Sequence, residues 1–207
     1  MEPPERYDKT PRGKLEMPRG VAPLQYAHHN YLRGRKFKVK KLERLWEIKG
    51  IGIAAELSWR IFIPIFYNGT MVSWTTRSIV DKHKDRYVSA SPKQESIDHK
   101  ELLYGEDYCR HSVVLCEGPT DVWRIGPGAV CSFGTTYSRS QVLKLSQYPV
   151  RVICYDDEPE AQHRADELCN LLAPFDGDTF KVTLNAKDPG EALEEEIEEL
   201  RQRFLEV

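Results

Sequence analysis

The sequence holds no apolar run near the ~20 residues that a membrane-crossing helix needs, and no internal repeat or low-complexity tract. Its first residues, MEPPERYDKTPRGKLEMPRG, lack the apolar stretch of a secretory signal. Charged and proline-rich, residues 1–20 read as a flexible tail. CxxC pairs are also missing. The five cysteines, Cys109, Cys116, Cys131, Cys154 and Cys169, are spaced by 7, 15, 23 and 15 residues, which argues against a structural zinc module. Three of them lie in apolar, strand-like runs and read as reduced, buried thiols of a cytoplasmic protein. What remains is ordinary for a globular chain of 207 residues: 40% hydrophobic and 10% aromatic, which excludes wholesale disorder.

A net charge of −2 hides an asymmetry. Residues 1–110 carry 21 Lys and Arg against 14 Asp and Glu, whereas residues 111–207 carry 9 against 18. A basic surface for a polyanion beside an acidic cluster for divalent cations is the expectation. Part of the acidity belongs to EALEEEIEELRQRFLEV, which reads as an amphipathic, solvated helix with Leu193, Ile197, Leu200 and Leu205 near one face.

Along the chain, residues 24–34 predict a helix ending at Gly34, and the basic RGRKFKVKKLERLWEIKG a second short helix stopping at Gly50. Two β-type runs flank Asn68-Gly69, a strong hairpin signal. Pro64 in the first run suggests an edge position or a bulge. His28 and His29 read as ordinary surface residues, and Trp46, Trp59 and Trp74 as core rather than base-stacking groups. Residues 80–110 are mostly connecting, with a short strand in DRYVSASP. From residue 112 onward, strands alternate with helices: SVVLCEG, 119–127, AVCSFGTT, 138–147 with a serine cap, PVRVICYDD, 159–173, TFKVTL and a last helix near Pro189. That alternation predicts βαβ units and a mostly parallel sheet. The fold class is therefore α/β: a parallel-sheet domain over 111–207, preceded by a smaller mixed α+β subdomain over 21–110.

Ligands gather at the carboxyl ends of parallel strands. Here those ends carry Glu117, with Asp121 a helical turn on; Asp156, Asp157 and Glu158; and Asp188. Oxygen donors so grouped suit a hard divalent cation such as Mg²⁺. The turns at Gly118-Pro119 and Gly134-Thr135-Thr136 offer backbone N–H groups for phosphate.

CEGPTDV at 116–122 resembles the first, glutamate-containing motif of TOPRIM domains, and YDDEPEA at 155–161 their DxD motif. KDPGEAL at 187–193 is similar to the Asp-Pro segment, and FGTTYSRSQVLKL to the Gly-Thr turn, of bacterial and phage primases. This likeness covers about 110–195. NYLRGR with IKGIG, the hairpin RIFIPIFYNGTMVSWTTR and DRYVSASP resemble, more loosely, the subdomain that precedes TOPRIM in primases.

The resemblance implies a primase-like core that makes short RNA primers on single-stranded DNA from ribonucleoside triphosphates, using Mg²⁺ or Mn²⁺. Glu117 would be the central acid, catalytic together with Asp156 and Glu158. Asp121, Asp156 and Glu158 would hold metal, with Asp188 in support. Arg60 and Arg77, Arg35, Lys36 and Lys38 of the basic stripe, and Lys82, Lys84 and Arg86 would contact nucleotide or template phosphates. Gly190 stands where primases often have another acid, Glu158 where DxD has aspartate, and Arg86 where lysine is usual. A replicative helicase and a separate template reader in trans are the expected partners, in the cytoplasm of a bacterial or phage-infected cell. Two alternatives stay open: a TOPRIM metal-dependent nuclease, and a degenerate nucleic-acid-binding module.

Overall fold

Two sheets organise the computed structural model, which describes residues 13–53 and 56–205. The first is antiparallel, with β1 (Val21–Ala22), β2 (Lys49–Ile51), β3 (Arg60–Tyr67), β4 (Thr70–Ser78) and β5 (Tyr87–Ser89) in sequence order. Helices α1 (Tyr26–Gly34) and α2 (Val39–Trp46) fill the crossing from β1 to β2. β3 and β4 form the predicted hairpin. Asn68 (φ 52°) and Gly69 (φ 72°) are both left-handed, the pairing that lets a two-residue turn follow the strands' own twist. The second sheet is parallel throughout, in the order β7 (Ala129–Cys131), β6 (Ser112–Cys116), β8 (Val150–Ile153), β9 (Asp178–Lys181). Helices α3 (Pro119–Ile125), α4 (Arg139–Leu145), α5 (Pro159–Leu172) and α6 (Glu194–Phe204) accompany it.

Several expectations need correction. The second helix stops at Trp46, where Glu47 turns left-handed (φ 51°), and Gly50 lies inside β2. Gly50 is there because the His28 ring packs onto it: a methyl group at Gly50 would stand 2.8 Å from the ring. His28 is thus fully buried rather than a surface residue. Pro64 is on an internal strand, but β2 covers only residues 60–62 of β3, so that side of the strand at Pro64 is free of β2. The bulge falls just beyond, between Ile65 and Phe66. Residues 13–20 are not a free tail: Gly13 and Glu16 N–H donate to the carbonyls of Pro92 and Gln94, and Trp74 Nε1 donates to the Glu16 carbonyl at 2.8 Å. Residues 1–12 lie outside the described part. The last helix starts at Glu194, after a 3-10 turn at Pro189–Glu191, and buries Ile197, Leu200 and Phe204 while Leu193 is exposed.

The expected division near residue 110 separates the two sheets but not the core. One apolar cluster runs from Leu32, Trp46 and Ile63 through Tyr104 to Val114, Val122 and Trp123. A row of thiols crosses its parallel-sheet face. Cys116 pairs with Cys131 across β6 and β7, and Cys154 follows Ile153, the partner of Leu115. All three are buried and free, as expected of strand cysteines.

Candidate active site

The parallel register brings the acids to one rim. Leu115 faces Ile153, so Glu117 and Asp156 leave their strands at the same end, and the Asp156 N–H donates to Glu117 Oε1 at 3.1 Å. Asp157 N–H donates to the Lys187 carbonyl at 2.9 Å, which ties the segment carrying Asp188 to the same strand ends. Gly118 caps α3, and Asp121 reaches back to accept from the Gly118 N–H at 2.8 Å. A cavity of about 370 Å³ results, lined by Glu117, Asp121, Asp156 and Asp188 together with Arg35, Arg77, Arg86 and Lys100.

Burial and mutual repulsion both oppose ionisation here. Burial, then the neighbouring Glu117, Asp121, Asp188 and Glu158, push Asp156 up to about 8. Burial raises Asp121 to about 7, with Asp188 and Glu117 adding to it, while the Gly118 N–H and Arg77 pull the other way. Glu117 is raised chiefly by burial, less the help of the Asp156 N–H. Carboxyls raised in this way and grouped in one cavity are groups suited to binding cations or moving protons.

The cationic lining comes from the part of the chain before residue 111: Arg35 from the end of α1, Arg77 from β4, Arg86 from just before β5 and Lys100 from a 3-10 turn. Arg77, 4% exposed, donates through Nε to Tyr31 Oη (2.8 Å) and through Nη1 to Tyr87 Oη, and its guanidinium lies over the Tyr87 ring. Two hydroxyls hold the guanidinium in place, and it shares the cavity with Asp121, whose ionisation it favours. Lys100 donates to the Phe133 carbonyl at 2.6 Å from a 3-10 turn capped by Asp98. Burial lowers its pKa. Neither Lys100 nor Tyr87 was singled out from the sequence; Lys100 sits in a connecting stretch, with no periodicity to mark it.

Other predicted residues lie elsewhere. Glu158 caps α5, is half exposed, and pairs with Lys187 at 3.0 Å outside the cavity lining. A longer side chain at that exposed cap turns outward, though its charge still reaches Glu117. Arg60 is buried as a clip, donating to the carbonyls of Asp85 (2.6 Å) and Arg86 (3.3 Å) rather than facing the cavity. Lys82 and Lys84 are exposed on the β4–β5 connection and do not line it. Of the basic stripe only Arg35 reaches the cavity; Lys36 and Lys38 border a separate small cleft, where Lys38 pairs with Glu194 at 2.8 Å. Within the turns expected to offer N–H groups for phosphate, Gly118-Pro119 and Gly134-Thr135-Thr136, the Gly118 N–H is used by Asp121 and the Gly134 N–H by the Glu117 carbonyl (2.8 Å).

Asp156 Oδ1 and Asp188 Oδ1 are buried with no hydrogen-bond partner. Unpaired, buried carboxylate oxygens are costly unless something cationic completes them, and an all-oxygen donor set fits Mg²⁺ or Mn²⁺. A tighter group exists among the described residues: Glu95, Asp98 and His99 offer ligand atoms all within 4.8 Å of one another. Glu95 is already spoken for there, accepting from Ser73 Oγ (2.7 Å) and His99 Nδ1 (3.0 Å).

No protein-family model matches the chain, and no curated protein matches it in sequence. Solved structures do. The Aquifex aeolicus primase, comprising zinc-binding and RNA polymerase domains, superposes with a TM-score of 0.71 at 20% identity over 86% of this chain and 55% of that one. A DnaG primase catalytic domain bound to single-stranded DNA gives 0.67 at 15% identity over 87% and 73%. The primase fragment of the bacteriophage T7 primase-helicase gives 0.53 at 16% identity over 89% and 78%. The chain thus spans about half the length of the Aquifex structure. The antiparallel sheet leading into a four-stranded parallel sheet is the fold this chain shares with those primase catalytic cores.

Proposed function

We propose that this protein is a primase-like nucleotidyltransferase that joins ribonucleotides into short primers on single-stranded DNA. The observation that carries the reading is one cavity holding two buried, partnerless carboxylate oxygens together with a buried arginine held by two hydroxyls. Acids for a cation and guanidinium for phosphate are what joining nucleoside triphosphates requires.

In the reaction a 3′-hydroxyl oxygen bonds to the α-phosphorus of a triphosphate while the bond to the pyrophosphate oxygen breaks. Asp121, Asp156 and Asp188, with Glu117, would hold Mg²⁺ or Mn²⁺, which when bound neutralises charge on the attacking and leaving oxygens. Glu117, raised by burial, is poised to accept the hydroxyl proton. Arg77, Arg86, Arg35 and Lys100 take the phosphates. The relative with DNA bound supports single-stranded DNA as template, and the primase-helicase relative supports a helicase as partner.

Supplying single-stranded template, ribonucleotides and Mn²⁺ should give oligoribonucleotides. Glu117→Gln should reduce product by about 10²-fold or more while DNA binding persists. Template cleavage without oligoribonucleotide product would replace this reading by a nuclease. DNA binding without any incorporation would leave a binding module.

A further inference from the structure

We infer that Arg124 is a positioning residue, a clasp that sets Asp188 and Arg35 against each other across the site; the inference rests on the catalytic reading above. Arg124 lies on α3, just beyond Asp121. Its Nε and Nη2 both donate to the Gly190 carbonyl, at 3.1 and 2.9 Å. The same Nη2 donates to the Arg35 carbonyl at 2.7 Å, and Nη1 to the Lys36 carbonyl at 3.4 Å. The guanidinium also lies 4.5 Å from the Phe37 ring centroid. One side chain thus joins the acidic loop after β9 to the α1–α2 turn of the other sheet's subdomain.

Both joined segments need holding. Lys36 is left-handed (φ 61°), a strained conformation for a non-glycine residue, and the fork of Arg124 holds the turn in that shape. On the other side, Gly190 is where the site converges. A methyl group on it would stand 2.9 Å from Asp121 Oδ1, 3.0 Å from Asp188 Oδ1 and 3.3 Å from Arg35 Nη2. The Gly190 backbone therefore sits against both carboxylates and the Arg35 guanidinium, and Arg124 fixes it there by its carbonyl. Asp188 Oδ1, buried without a partner of its own, depends on that loop for its aim. No reacting group touches Arg124; it acts through what it holds.

The test compares Arg124→Ala with Arg201→Ala, a matched arginine that clasps the Ile125 and Pro127 carbonyls at 2.7 and 3.3 Å away from the site loops. Mn²⁺ affinity of the full chain, the KM for ribonucleotide and the melting midpoint are measured for both, with amide hydrogen exchange over residues 188–191 in metal-free protein. Arg124→Ala should weaken Mn²⁺ binding and raise KM, each by about tenfold, the scale of lost outer-shell support, and should speed exchange at 188–191. Arg201→Ala should lower the midpoint but leave affinity and KM unchanged. Affinity loss that merely tracks the midpoint in both variants would reduce Arg124 to a structural role. Wild type that binds Mn²⁺ alongside an Arg124→Ala protein that binds it equally well would overturn the clasp alone; wild type that binds none would overturn the site and the clasp together.

Discussion

At the scale of single residues, the acids of the cavity make the molecule work against itself when no cation is present. Asp121 and Asp156, raised by burial to about 7 and about 8, hold protons in the folded chain that they release near pH 4 when unfolded. Between those limits the native state binds more protons, so their contribution favours folding at acid pH and is lost as pH rises through 7 and 8. The metal-free melting midpoint should therefore fall across that window, and saturating Mg²⁺ should flatten the fall. Asp156→Asn, keeping the shape without the charge, should raise the metal-free midpoint at pH 8 and abolish Mn²⁺ binding; a lowered midpoint would contradict this electrostatic account. Glu117 and Asp156 were legible because they closely follow strands β6 and β8. Arg60 and Glu158 misled because a residue's type and place in a motif do not say which way its side chain turns. Arg60 found carbonyls within reach and Glu158 found Lys187. Lys100 escaped notice because its place depends on the Asp98-capped turn and on Phe133, which is 33 positions away.

At the scale of elements, the hairpin shows local chemistry deciding structure. Gly69 has nothing within 4 Å of where a methyl group would be built, so Gly69→Ala meets no clash. Its cost is the left-handed backbone alone, about 1–2 kcal/mol, to be read from denaturant unfolding. Asp107 accepts from the N–H groups of Asn68 and Gly69 at 3.0 and 2.8 Å, which fastens the turn to the connecting segment. Elements with a local cause were readable in advance: the hairpin, the Ser138 cap and the alternation of strand and helix. Those with a tertiary cause were not. The place of Gly50 in β2 answers to the His28 ring, 22 positions earlier, which claims the space over the glycine. That ring is fixed as a neutral tautomer, Nδ1 accepting from the Gln25 N–H (3.1 Å) while Nε2 faces the Ile51 carbonyl (3.2 Å).

At the scale of the whole molecule, a charge boundary near residue 110 coincides with a change of sheet but not with a gap in the core. Trp46 packs on Tyr104, with ring centroids 5.5 Å apart, and Trp123 Nε1 donates to Tyr104 Oη at 2.8 Å, so α2 and α3 share one interior. Trp46→Ala should cost about 3–5 kcal/mol and shift one cooperative transition seen alike by far-UV signal and by Mn²⁺ release. Two separated transitions would show that the sheets unfold independently. Beneath the rim, Cys116 and Cys154 precede Glu117 and Asp156 on β6 and just after β8, and Cys131 stands beside Cys116 on β7, all three buried, while Cys169 on α5 is only half buried. A maleimide should label Cys169 promptly and the three strand thiols only when neighbouring strands part. Their alkylation rate is then a clock for breathing of the sheet beneath the acidic rim, and a divalent ion clamped across the strand ends should make it run slower.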